Sequence, residues 1–130
     1  MSDTDTDSTE KTALLGRVLF GAGLVALAVR NLRNLDGRVA YADAKGVPEA
    51  ETLVPAGSGL LLGGGLGISV WKAPKLSASA VAAFLIGVTP LMHDFWAVDE
   101  EERGGELTSF LQNITLLGAA VAFFGRAREN

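Results

Sequence analysis

The chain has 130 residues, a formal net charge of −4, 48% hydrophobic residues and no cysteine. That length suits one domain, and the missing thiols exclude disulfides, thiol catalysis, thiolate metal sites and iron–sulfur clusters. A single histidine argues against a transition-metal site built from protein ligands alone, and a mean hydropathy of +0.30 is high for a soluble protein. The acids are clustered, in DTDTDSTE at the start and DEEE at 99 to 102. Surplus acidity of that kind is a lever used by halophilic proteins and says little about fold.

Residues 1–11 are polar and acidic without periodicity and are expected to form a disordered tail. Asp3, Asp5, Asp7 and Glu10 stand where a secretory signal would carry basic residues, so the first apolar segment is expected to stay in the mature protein. Four apolar segments follow, at 12–29, 53–71, 76–96 and 107–125. Each is close to the ~20 residues that cross a hydrocarbon core, and charges are nearly absent from them. A soluble amphipathic helix of that length would show a charged face. The pattern predicts an all-α integral membrane four-helix bundle over 12–126, with residues 127–130 as a short tail.

The first helix carries Arg17 about a turn inside its start, a snorkelling side chain or one that faces the bundle. After Val29, RNLRNLDGRVAYADAKGVP interleaves Leu32, Leu35 and Val39 with Arg30, Arg33 and Arg38, which suits a helix lying at the interface. Those cations read as a solvated flank, so no nucleic-acid partner is expected. In the second helix, Gly59, Gly63 and Gly67 fall at four-residue spacing, where they would let another backbone approach. A phosphate loop is the sharper reading, but no strand precedes it and no GKS or GKT follows.

The third segment ends in TPLMHDFW, 89 to 96, with the only histidine beside an aspartate and a tryptophan. Pro90 cannot donate to the carbonyl of Ile86, so a helix through this stretch should kink about a turn before His93. The fourth helix contains Asn113, whose sequon is unreachable at membrane depth and whose amide suits interhelical bonding. Basic residues divide six to five in favour of the side that holds both termini, which predicts cytoplasmic N- and C-termini in a multi-pass protein of the cell membrane. On that topology His93 and Asp94 lie about 4 Å from the outer end of the third helix and Asn113 about 9 Å in, at ~1.5 Å per residue. Arg30 closes the first helix on the same side. Arg30, His93, Asp94, Asn113 and Trp96 therefore form a candidate ligand site, with Trp96 as lid or anchor; the plainer reading is a helix cap beside an aromatic belt.

Arg17 before a GxG-containing first helix, the YADAKGVP linker, the glycine-rich second helix, H-x-F-W at His93 to Trp96 and F-L-x-N-x-x-L-L-G at Phe110 to Gly118 together resemble the DoxX family of small four-helix membrane proteins. The resemblance runs from about residue 12 to 125, and it implies kinship with subunits of thiosulfate:quinone oxidoreductase and with membrane oxidoreductase complexes that handle oxidative and thiol stress. It implies an accessory subunit of a quinone-linked membrane oxidoreductase, with quinone as the ligand and other membrane or peripheral subunits as partners. On that reading His93 and Asn113 bond the quinone carbonyls and Asp94 orients the imidazole. A structural or transport-related membrane protein without a redox role is the alternative.

Overall fold

A computed structural model describes residues 3–129, with side chains from residue 8 onward. It contains five helices among the described residues: α1 Asp3–Arg33, α2 Leu35–Ala44, α3 Ala50–Val70, α4 Pro74–Met92 and α5 Glu100–Arg128. All but α2 are long and apolar enough to cross a membrane. Backbone groups in lipid have no water to bond, which leaves the helix as the structure open to apolar runs of this length. Along the bundle α1 packs on α3, α3 on α4 and α4 on α5, while α2 lies across the beginning of α3.

The core is a narrow seam of Leu24 and Ala28 from α1, Leu61 and Ile68 from α3, Ala78, Val81 and Leu85 from α4, and Ala120 from α5. Most of the remaining apolar surface faces outward: Leu19 is 66% exposed, Leu76 73% and Ile86 61%. In water such a surface would drive aggregation; in a bilayer it is the lipid-facing skin.

Small residues set the closest approaches. A Cβ added at Gly65 would stand 2.8 Å from the Gly21 carbonyl oxygen, and one at Gly64 would stand 2.9 Å from the Ser77 carbonyl oxygen. Gly65 thus seats α3 on α1 and Gly64 seats it on α4. The expected stripe is corrected here: Gly59 and Gly63 have open space where a Cβ would stand, and of the three only Gly67 is crowded, by Ser77. The buried face of α3 follows Ser58, Leu61, Gly64, Gly65 and Ile68, the three- and four-residue alternation of a helix in contact on one side.

Three boundaries differ from the sequence reading. Helix α1 reaches back to Asp3, into the segment expected to be disordered; Met1 and Ser2 lie outside the described residues. Once the apolar run is helical, each added residue gains a hydrogen bond without a new nucleation cost, so the helix propagates past the membrane edge. Likewise α5 continues through Arg128, two residues into the expected tail, and Asn130 lies outside the described residues. At the third boundary, α4 does not kink and continue to Trp96 but ends at Met92, two residues beyond Pro90. Phe95 to Ala97 then form a turn, closed by the Ala97 amide donating to the Asp94 carbonyl at 2.9 Å.

Helix α2 is a short separate helix between the first two spans, where an interfacial helix or an extension of the first was expected. It breaks from α1 at Asn34 and buries Ala42 against Val47 and Ala50, with Val39, Val54 and Met92 packed around them. This small second core pins α2 to the ends of α3 and α4. At the opposite end, the α3–α4 connection is tight enough to hold Trp71 and Ala73 at φ 58° and 46°, left-handed conformations that cost of order 1–3 kcal/mol each in a residue with a Cβ.

Candidate functional site

The end of the bundle capped by α2 gathers five polar side chains from three elements: Tyr41 and Lys45 of the α2 region, His93 and Asp94 just past α4, and Glu106 in the second turn of α5. Tyr41 and Lys45 are one helical turn apart and so share a face. The two residues after α4 are placed by the helix ending at Met92, and the His93 amide still donates to the Thr89 carbonyl at 3.0 Å. Glu106 is placed by α5 beginning well before its apolar run, at Glu100.

Glu106 is the hub. Its Oε1 accepts the Tyr41 hydroxyl at 2.6 Å, and its Oε2 lies 3.1 Å from His93 Nδ1. Lys45 Nζ donates to Asp94 Oδ1 at 2.7 Å and stands 3.9 Å from Glu106 Oε1. It also lies over the Tyr41 ring, 5.5 Å from the centroid. The Met92 carbonyl, 3.2 Å from the Tyr41 hydroxyl, offers that single proton a second acceptor. All are partly shielded, with side-chain exposures of 15–25% for Lys45, His93, Asp94 and Glu106. Charge-assisted bonds in such surroundings are stronger than neutral ones.

The titration of these groups follows from the contacts. Burial, and then the Glu106 carboxylate, push the Tyr41 hydroxyl up to about 12 from its ordinary 10.0. The bond to Asp94 raises Lys45 above 10.5, and the same bond lowers Asp94 below 3.8. Around neutral pH Tyr41 is a fixed donor and Lys45–Asp94 a fixed ion pair.

With Nδ1 directed at Glu106, His93 has Nε2 left to work with, and no described residue bonds to it. In the neutral ring with the proton on Nδ1, Nε2 accepts; in the imidazolium it donates. One turn earlier on α4, the Thr89 hydroxyl is buried at 3% exposure and has no hydrogen-bond partner. Such a group carries an unmet desolvation cost of about 1–3 kcal/mol, which a carbonyl or water would relieve. No group of three or more metal-ligating side chains occurs among the described residues.

Of the expected site residues, the structure brings together His93 and Asp94. Asp94, expected to orient the imidazole, instead binds Lys45, and Glu106 has the orienting place. Trp96 is 56% exposed and belongs to an aromatic triad beside the cluster, 5.1 Å from Phe95 and 6.0 Å from Phe110 between ring centroids. Phe95 in turn meets Phe110 at 5.3 Å, which seats the loop on α5 one turn past Glu106. Arg30 is exposed at the end of α1 and makes no bond to the cluster. Asn113 is half-buried on α5, seven residues past Glu106 and therefore on nearly the same face but about 10 Å along the axis.

Tyr41, Lys45 and Glu106 were not among the residues expected at the site. A signal for each was in the chain: Tyr41 is the only tyrosine, Lys45 follows at helical spacing, and Glu106 is the last acid before an apolar run.

A model of the DoxX family matches residues 12–94, from the first span through Asp94, so that the match includes four of the five cluster residues and leaves out α5 with Glu106. No curated protein and no solved structure matches the chain. With four membrane spans and a family match over more than half its length, the chain belongs to the DoxX family, as a multi-pass membrane protein.

Proposed function

We propose that this DoxX protein is an accessory subunit of a quinone-linked membrane oxidoreductase and holds a quinone headgroup at the α2 end of the bundle. The observation that carries the reading is the His93–Glu106 contact of 3.1 Å, which holds the imidazole by Nδ1 and leaves Nε2 for a ligand. A bound quinone supplies two-electron chemistry coupled to protons. This chain's own residues bond its carbonyls, shield it from water and hold a proton at His93. The unpartnered Thr89 hydroxyl fits such a carbonyl, and the apolar faces of Phe95 and Phe110 fit its ring. Asn113 lies deeper on the Glu106 face of α5 as a further donor. Lys45–Asp94 and Tyr41 hold α2 over the site as a lid.

The test is quinone co-extracted with the protein in detergent. His93→Ala and Asn113→Leu are expected to remain folded and lose bound quinone, and Glu106→Gln to weaken binding through the imidazole, by about tenfold per lost hydrogen bond. Absence of quinone from the wild type, or binding that follows the folded fraction in every variant, removes the site and leaves a structural clamp. For orientation we propose cytoplasmic termini, from the small excess of basic residues on that side. A reporter fused after Asn130 should then be active in the cytoplasm and one at 99–105 outside, and the reverse pattern would invert the assignment.

A further inference from the structure

We infer that Arg17 is the centre of a binding site for the phosphate of an anionic membrane lipid, at the end of the bundle that carries both chain termini. The guanidinium is held and yet unanswered. Its carbon lies 5.5 Å from the centre of the Trp71 ring, and its Nε is buried without a hydrogen-bond partner. No described carboxylate pairs with Arg17, although a guanidinium has five N–H donors in a rigid fork that matches phosphate oxygens. A merely snorkelling arginine would carry all its nitrogens out to water. Here the Nε is shut in, and the remaining nitrogens must find an acceptor from the membrane.

The wall behind Arg17 is rigid. Trp71 is itself the left-handed residue that caps α3, and it meets Phe123 of α5 edge-on at 6.2 Å. Phe123 stacks on Phe20 of α1 at 5.2 Å, so three spans fix the ring over which the cation sits. Backbone strain that aims a side chain at one place is a reason to ask what that place does.

Around it the same end exposes Lys72 and Lys75 in the α3–α4 turn and Arg126 and Arg128 at the end of α5. Basic pockets between spans are the usual seat of acidic headgroups. Glu10 is two helical turns farther out on α1, about 10 Å from the level of Arg17. The occupant is a lipid rather than a soluble anion because Leu14, Leu15, Val18 and Leu19 around Arg17 are 40–66% exposed, an apolar surface for acyl chains beside a donor for their phosphate.

The experiment uses the full chain in neutral detergent with phosphatidylglycerol and phosphatidylcholine supplied together, bound lipid being counted by native mass spectrometry. The wild type is expected to retain the anionic lipid about tenfold over the zwitterionic one, Arg17→Gln to lose nearly all of that preference, and Lys75→Gln to keep it within about twofold. Arg17→Lys, which keeps the charge without the fork, should fall between. A wild-type preference near unity overturns the site, as does an equal loss in Arg17→Gln and Lys75→Gln, which would mean diffuse attraction. Displacement of the lipid by millimolar inorganic phosphate also counts against it. If Arg17→Gln does not fold, the wild-type ratio and Arg17→Lys still decide.

Discussion

The two ends of this bundle treat charge differently: each leaves an arginine Nε buried without a partner, Arg38 at the α2 end and Arg17 at the other, but the α2 end also holds a closed polar network. At the α2 end, Tyr41, Lys45, His93, Asp94 and Glu106 meet one another's hydrogen-bonding needs across three elements. At the terminal end, Arg17 is fixed against Trp71 with its Nε buried and unbonded. A network closed on itself fastens structure and leaves one nitrogen, His93 Nε2, to face a ligand. A cation without a partner stores an unmet demand that the membrane can answer. The same bundle thus has one end stabilised from within and another that depends on its surroundings, and replacements at the two ends should differ in cost.

The largest effect is expected from Glu106→Leu. The substitution leaves the His93 Nδ1 without its acceptor, sends the Tyr41 hydroxyl to the longer Met92 contact and removes a charge 3.9 Å from Lys45. With these groups partly shielded, about 2 kcal/mol of stability should be lost, read as a fall of several degrees in the thermal midpoint in detergent. An unchanged midpoint would mean that the cluster does not fasten α2 to the bundle.

Titration sharpens the comparison, with smaller effects. Asp94 is depressed below 3.8, so its contribution is present above that value and disappears as pH falls through the lower folded value. Lys45 is raised above 10.5 and Tyr41 from 10.0 to about 12, so their contributions are present below the ordinary values and disappear as pH rises through the folded ones. The midpoint should therefore decline as pH falls below 3.8 and as it rises above 10.0. In Tyr41→Phe the alkaline decline should become shallower while the acid decline stays. An alkaline limb identical to the wild type's would place the titrating group elsewhere.

How much of this was legible beforehand depends on the kind of contact. The four spans could be read because hydrocarbon thickness imposes a length on any apolar helix, and α2 because Arg30, Arg33 and Arg38 interleave with Leu32, Leu35 and Val39 after the first span. His93 and Asp94 stood out as the only such pair at the end of an apolar run. Their partners did not: Lys45 is 49 positions from Asp94, and Tyr41 is 65 from Glu106. Spacing along the chain says nothing about contacts at that range. Depth put Arg30 near the level of His93, but level is not azimuth; Asn113 shares the face of Glu106 and lies about 10 Å farther along α5. A span that is apolar on every side does not declare which face meets its neighbours. For the same reason Gly59 and Gly63, regular in spacing, turned out to face open space.

The smallest effect should come from Arg17→Leu in neutral detergent without anionic lipid. Loss of the cation–aromatic contact with Trp71 costs about 0.5–1 kcal/mol at a partly exposed site. Against that, leucine keeps apolar volume beside Trp71 and removes the buried unpaired Nε–H, whose desolvation works against the fold by about 1–3 kcal/mol. The second term equals or exceeds the first, and the thermal midpoint should stay close to the wild type's or rise slightly, far from the fall expected for Glu106→Leu. Added phosphatidylglycerol should then raise the wild-type midpoint and leave that of Arg17→Leu where it was, because only the guanidinium has an acceptor to gain. A fall in lipid-free detergent as deep as that of Glu106→Leu would mean that Arg17 already has its acceptor within the protein, and the contrast between the two ends would be lost.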